Sequence, residues 1–345
     1  MNVFRLPDQW RSAFERDSAE KPALPDPVPE RRLARLLAAY VVSGLFFMIL
    51  PGTVLGVWNL VGISSQREMA AVSTAWIQAH GHAQFFGWFG TFIIGISLYT
   101  FPKFRGSACR SIPLAWIMWV MWSVGVGLRW LAGVQNVAIP AAFRISSALE
   151  LGVAVLFLWQ VTASGPKQRK GQAWEAPIFA GFTALLLLLG WQLLLTMRPL
   201  SSPSLPALPN RILISLAVWT FGFPVVVGYC AKFFPGLLGT AVANVTGIHL
   251  TLGLVAIAAV GFALDSAVLA GSATSIAVAL ALWSFAYFIR RGEIRRPPGY
   301  TGAIRNSRDS PMSGWPSPRS SGSACRGQVC SARRGTPSQL DSSQR

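Results

Sequence analysis

The chain has 345 residues, of which 52% are hydrophobic and only 12% are charged, and its mean hydropathy is +0.45. A soluble domain of this size usually carries charge on about a quarter of its residues. The composition therefore excludes an ordinary soluble protein and predicts a membrane protein. Its net charge is +17, but the basic residues lie between apolar segments and in the tails, so we interpret them as topology signals and expect no nucleic-acid binding.

The N-terminal arm, residues 1–32, is polar, rich in proline and mixed in charge. Such a composition buries too little apolar surface to form a core, so we expect the arm to be disordered. It also lacks the short apolar core of a cleaved signal peptide. The sequence therefore predicts a cytoplasmic N-terminus.

Apolar stretches recur along the rest of the chain, each long enough for a helix to cross about 30 Å of hydrocarbon. They cover residues 35–57, 76–101, 112–134, 138–162, 177–196, 211–231, 245–264 and 267–289. The sequence therefore predicts an all-α polytopic membrane bundle of about eight transmembrane helices.

Basic residues predict the orientation, because cytoplasmic loops retain Lys and Arg. They precede the first stretch and follow the second, fourth, sixth and eighth, whereas the opposite loops carry few. The residues are Arg31, Arg32, Arg35, Lys103, Arg105, Arg110, Lys167, Arg169, Lys170, Lys232, Arg290, Arg291, Arg295 and Arg296. An even number of crossings then places both termini in the cytoplasm.

An internal repeat joins the two halves of the chain. The run GISLYTFP at 95–102 resembles GYCAKFFP at 228–235, an offset of 133 residues. We interpret 33–164 and 165–296 as two parallel four-helix repeats. The histidines of the first half are not repeated in the second.

The C-terminal segment, residues 297–345, is rich in Ser, Gly, Arg and Pro and shows no apolar period. Disorder is one interpretation. The other is a change of reading frame, in which case the segment is not a native terminus. Its two cysteines, Cys325 and Cys330, show no metal-ligand spacing when combined with Cys109 and Cys230.

The second apolar stretch carries His80 and His82. Polar groups in hydrocarbon are costly and mark functional sites by default, so we expect at least one histidine to bind a ligand. Residues two apart on an α-helix point about 200° apart, so the two cannot bind one metal from a regular helix. Gln84 lies on the face of His80 and could hydrogen-bond the ligand.

Two arginines, Arg129 and Arg144, are predicted to lie near the same membrane surface as the histidines. A guanidinium matches a carboxylate, so either could hold an anionic group such as a haem propionate. The alternatives are an ion pair with Glu150, or extension of Arg144 outward to the headgroups. His249 lies near the opposite surface, about 20 Å away, and we expect it to cap or pack.

The segment HGHAQFFGWFGTFIIGISLYTFPKFRG, residues 80–106, resembles the histidine-bearing second helix of the NnrS family. These bacterial membrane proteins are related to nitric oxide metabolism and described as containing haem and copper. More distantly, the segment is similar to helix two of cytochrome oxidase subunit I, where a histidine near the outer end is an axial haem ligand. The resemblance implies an axial role for His80 or His82.

The same resemblance implies a bacterial inner-membrane location, haem and possible copper, and an electron-transfer partner or a second membrane subunit. The relatives have a third four-helix arc, so a C-terminally truncated, inactive member is one interpretation. Helix six carries no histidine, so oxygen reduction is not expected. A different class of function is a cofactor-free transporter or assembly protein, whose outer polar cluster binds a small anion or relays protons.

Overall fold

The computed structural model describes residues 27–68, 72–135, 140–162, 172–199, 203–238 and 242–291. Within these ranges the chain forms helices and no strand, and eight helices are long and apolar enough to cross a membrane. The predicted all-α, multi-pass membrane fold is therefore confirmed. Most of the N-terminal arm and the whole of the 297–345 segment, which were predicted to be disordered, lie outside the described residues.

We number the eight helices α1 to α8 in chain order. Three of them contain a π-helical segment. Their bounds are α1 (Pro27–Phe47, π-helical Met48–Val54, Leu55–Gln66), α2 (Thr74–His82, π-helical Ala83–Gly90, Thr91–Phe104), α3 (Ile112–Val134), α4 (Pro140–Thr162), α5 (Glu175–Met197), α6 (Ala207–Leu216, π-helical Ala217–Gly222, Phe223–Leu238), α7 (Val245–Ala263) and α8 (Ala267–Arg291). Each overlaps one of the eight predicted stretches.

Helix α1 begins earlier than expected. The arm was predicted to extend to residue 32, but the helix starts at Pro27. Proline is compatible with a first helical turn, because the amide hydrogens there have no partner within the helix. Farther along, Pro51 lies inside the π-helical segment, where its missing N–H interrupts the regular hydrogen-bond ladder.

Ion pairs show which helix ends lie together. Glu30 at the start of α1 contacts Lys103 at the end of α2, with 2.6 Å between Oε1 and Nζ. At the other end of the bundle, Arg211 near the start of α6 contacts Asp265 just after α7. Consecutive helices therefore alternate in direction, as membrane crossings must.

Large apolar side chains cover much of the outer surface of the bundle. Leu187, Leu194 and Val268 are 68%, 67% and 83% exposed. A soluble protein rarely exposes contiguous apolar surface of this extent. Together with the eight long apolar helices, these side chains indicate that the protein lies in a lipid bilayer.

Helix α1 meets α2 in the same way as α5 meets α6. A Cβ on Gly44 would lie 3.4 Å from the carbonyl oxygen of Trp88, and one on Gly181 would lie 2.9 Å from that of Phe221. Trp88 and Phe221 differ by the predicted offset of 133 residues, whereas the two glycines differ by 137. The two helix pairs thus share one type of contact, with an offset of 137 residues at the glycines and 133 at their partners, and the division into two repeats stays a prediction.

The contact between α1 and α2 predicts a strong effect of Gly95→Ala. The added Cβ would overlap with the Cβ of Tyr40, which is fully buried, so we expect a loss of about 1–3 kcal/mol in the free energy of unfolding. Gly127→Ala in α3 is the control, because no atom lies within 4 Å of its Cβ. Thermal unfolding in detergent, followed by circular dichroism, measures both. Equal midpoints would show that this contact is looser than described.

Candidate functional site

His80 and His82 contact different helices. Nδ1 of His80 lies 2.9 Å from the carbonyl oxygen of Gly52 in α1. Nε2 of His82 lies 2.9 Å from Oε1 of Glu150 in α4. The two histidines therefore face different sides of α2, as their spacing predicts.

The His82 side of α2 forms a buried polar cluster around Glu150. The hydroxyl of Ser146 donates to Oε1 over 3.3 Å, and the amide nitrogen of Gln192 in α5 donates to Oε2 over 3.0 Å. Ser146, Gln192 and Glu150 are fully buried, and His82 is 4% exposed. Both carboxylate oxygens therefore have hydrogen-bond donors, as a buried charge requires.

A small residue makes room for this carboxylate. A Cβ on Gly125 of α3 would lie 3.1 Å from Cγ of Glu150 and 3.2 Å from the carbonyl oxygen of Ser146. Helices α3 and α4 therefore approach closely at the level of the cluster. This close approach, together with the donors from α2 and α5, brings four helices to one point.

Sequence reasoning missed Ser146, Ser147 and Gln192. The signal was present, because the two serines precede Glu150 by three and four residues and so share its helix face. Gln192 lies alone within the apolar run of α5, where a polar side chain needs a partner. The spacing of the serines and Glu150 shows that they share one face of α4. It does not show which helix packs against that face.

Arg129 does not form the expected ion pair. Its side chain is buried, and its guanidinium carbon lies 4.5 Å from the ring centroid of Phe143, a cation–π contact. Within the described part of the chain, Glu150 pairs with His82 and no ion pair joins it to Arg129. Nη1 of Arg129 is buried without a hydrogen-bond partner.

Arg144 and Gln84 also have protein partners. Nε of Arg144 donates to the carbonyl oxygen of Thr196 in α5 over 3.2 Å, so the side chain bridges α4 and α5. The amide of Gln84 donates to the hydroxyl of Thr53 in α1 over 3.4 Å. Gln84 therefore lies on the His80 side of α2, as its spacing predicts.

The hydrogen bond of His80 selects the tautomer of the neutral ring. A carbonyl oxygen only accepts, so Nδ1 carries the donated hydrogen, and in the neutral tautomer the lone pair is on Nε2. A Cβ on Gly56 would lie 2.5 Å from Cε1 of the ring, so the half-buried imidazole packs directly against the backbone of α1. His80 is thus held against α1, with Nε2 3.2 Å from the position of a Cβ on Gly56.

The contacts of His82 disfavour it as a haem ligand, whereas Nδ1 of His80 contacts a backbone carbonyl. Nε2 of His82 is held by Glu150, and its ring packs against Phe86 with 4.7 Å between centroids. Arg129 contacts Phe143 and Arg144 is engaged by α5. The five predicted cofactor-binding residues therefore divide into two groups. His80 and Gln84 contact α1, whereas His82, Arg129 and Arg144 lie on the side of α2 that faces Glu150.

Copper binding has little support from the donors present. In the ranges that the structure covers, no group of three or more His, Cys, Asp or Glu side chains could hold a metal ion. Burial raises the pKa of the Cys109 thiol, which disfavours the thiolate that binds metals. His80 and His82, the predicted metal ligands, lie on different sides of α2, so each could ligate a metal only separately.

A cavity of about 490 Å³ separates α1 from α2 beyond the histidines. Trp58, Gly62, Val72 and Trp76 contribute to its lining. Trp76 precedes His80 by one helical turn, but neither histidine lines this space.

His249 takes no part in capping. Asn244 caps α7, because its side-chain oxygen accepts from the amides of Thr246 and Gly247 over 3.0 and 3.3 Å. His249 itself is exposed. The expected capping role therefore belongs to Asn244.

Comparisons with protein-family models, with curated proteins and with solved structures found no match to this chain. The resemblance of residues 80–106 to the NnrS family thus stays a sequence-based expectation.

The buried cluster predicts that Glu150→Gln destabilises the fold strongly. The amide keeps the shape but removes the charge that His82 and Arg129 face, so we expect a loss of about 3 kcal/mol. Glu30→Gln is the control, because its pair with Lys103 is about 40% exposed on each side and such pairs contribute about 0–1 kcal/mol. Denaturant titration of the purified chain measures both. Similar losses would mean that the cluster tolerates a neutral group.

Proposed function

We propose that this chain is a haem-binding membrane protein of the NnrS-like type, with a redox or nitric oxide related role, and that His80 is its axial ligand. The supporting observation is the hydrogen bond from Nδ1 of His80 to the carbonyl oxygen of Gly52. Ligating histidines commonly donate their other ring N–H to a carbonyl or carboxylate, which fixes the tautomer and orients the ring. A bacterial inner-membrane location with both termini cytoplasmic is part of this proposal.

Bound haem would supply one-electron chemistry and a site for a diatomic ligand. The residues of this chain would hold the haem ligand in position. Gly52 selects the tautomer of His80, and Gly56 lets the imidazole press against α1. Gln84 lies one turn farther along the same face, where its amide can hydrogen-bond a bound group.

The proposal predicts a single axial ligand from this chain. Nε2 of His82 is occupied by Glu150, and His249 is exposed on α7, away from the His80 contact. A second protein ligand would come from a second membrane subunit, the type of partner that the resemblance implies. Without one, the sixth position stays open to a small molecule.

A cofactor-free membrane protein is the second candidate. The hydrogen bond between His82 and Glu150 favours it, because two buried polar groups that satisfy each other need no metal to explain their presence. In that case His80 is a structural residue that ties α1 to α2. The two candidates differ in haem content, which can be measured directly.

Haem ligation predicts that His80→Ala removes the cofactor. We expect the wild-type chain, purified in detergent, to give a pyridine haemochrome spectrum at about one haem per chain, and His80→Ala to lose most of it. His249→Ala is the control, since that side chain is exposed, and should keep the haem. A wild-type chain with only trace haem would refute the proposal and leave the cofactor-free candidate.

Retention of haem in His82→Gln provides a further check. Glutamine can still donate to Glu150, so we expect the cluster to persist and the haem content to stay near that of the wild type. Loss of haem in His82→Gln with retention in His80→Ala would reverse the assignment of the ligand.

A further inference from the structure

A row of polar groups follows the contact between α4 and α5. Arg144 donates to the carbonyl oxygen of Thr196. Gln192, one turn from Thr196, donates to the hydroxyl of Ser147 over 3.3 Å and to Glu150 over 3.0 Å. The row thus begins at half-buried Arg144 near the start of α4 and ends at the Glu150 cluster.

Two polar atoms of this cluster have no partner. Nη1 of Arg129 is a donor and Oε1 of Gln192 is an acceptor, and both are buried without a hydrogen bond. Arg129 is 5% exposed and Gln192 is fully buried. Exchanging the positions of the oxygen and nitrogen of the Gln192 amide would not give both groups a partner, because it would turn the amide oxygen toward the carboxylate of Glu150. Buried polar atoms without partners call for a ligand.

The ligand must both accept and donate hydrogen bonds. The charges of Arg129 and Glu150 already offset one another, so an added anion would carry uncompensated charge into the bundle. Water accepts, donates and is neutral, and it is the usual partner of such buried groups. Water therefore fits both atoms, because it can accept from Nη1 of Arg129 and donate to Oε1 of Gln192.

Apolar residues interrupt the row of polar groups beyond Glu150. Beyond Glu150, buried apolar residues including Val153, Phe157 and Phe182 follow on α4 and α5. The next buried polar side chain of α4 in the described residues is Gln160, which lies past this apolar layer and accepts from the backbone amide of Ser111. The rings of Phe157 and Phe182 stack with 4.0 Å between centroids. Polar groups thus connect Glu150 with one end of the bundle, and a packed apolar layer separates it from the other.

We propose that waters enter between α4 and α5 at Arg144 and form a one-sided hydrated path that ends at Glu150. Glu150 lies ten residues into α4, about 15 Å from its start, which is about half the hydrocarbon thickness. The path places a carboxylate at the centre of the bundle in contact with water from a single face. This inference is independent of haem binding at His80.

Cysteine reactivity tests the path in the full chain. In a background carrying Cys109→Ser, Cys230→Ala, Cys325→Ser and Cys330→Ser, the test variant is Ser147→Cys and the control is Val153→Cys. Both positions are fully buried on α4, on opposite sides of Glu150. A small, charged methanethiosulfonate reagent is applied to oriented membrane vesicles from each face.

We expect Ser147→Cys to react at least about tenfold faster than Val153→Cys, and from one face only, because a packed position reacts only during local opening. Equal rates, or labelling of Ser147→Cys from both faces, would overturn the path. Haem content measured on the same preparations reports on the other proposal separately.

Hydroxyl-radical footprinting tests the wild-type chain if the variants fail to fold. Phe143, beside Arg129, and Phe157, in the apolar layer, are 2% and 1% exposed. Exposure to bulk solvent therefore does not distinguish them, whereas proximity to bound water does. We expect Phe143 to be oxidised several times faster than Phe157. Equal oxidation of the two rings would overturn the proposal.

Discussion

The burial of one carboxylate constrains the rest of this bundle. A charged side chain at the centre of a membrane helix costs on the order of 3 kcal/mol on insertion scales. Hydrogen-bond donors from α2, α4 and α5 offset this cost for Glu150, and Arg129 of α3 lies nearby. Hydrogen bonds of defined length fix the rotation and depth of each helix more narrowly than apolar packing does. Hydrogen bonds to a single acidic group therefore hold α2, α4 and α5 in one register.

Helix α2 separates two environments. One face presents His80 and Gln84 to the π-helical segment of α1, and another presents His82 to Glu150. Both helices depart from regular α geometry here, at Met48–Val54 and Ala83–Gly90. Single-turn π-bulges often occur at functional sites. The irregular backbone lies where the proposed ligand nitrogen is held, which is the physical basis for placing the site there.

The sequence predicted the crossings well because length and apolar content alone determine them. All eight stretches correspond to observed helices. The opposite faces of His80 and His82 followed from helical geometry. The hydrogen-bond partner of Glu150 could not be predicted, because the periodicity of a sequence shows which face of a helix a residue lies on. It does not show which other helix packs against that face. An ion pair between Arg129 and Glu150 was one alternative suggested by their charges, whereas His82 and the neutral donors of Ser146 and Gln192 are the hydrogen-bond partners of the carboxylate.

The geometry around α2 also determines how the two proposals depend on each other. His80 and the groups that hold it belong to α1 and α2, whereas the polar row belongs to α4 and α5. The buried ring of His82 and the ring of Phe86 lie between them. No side chain serves both sites, so a haem on one side of α2 needs no water on the other. Coupling between them would have to pass through the backbone of α2, where a shift that moves His80 also moves His82 against Glu150.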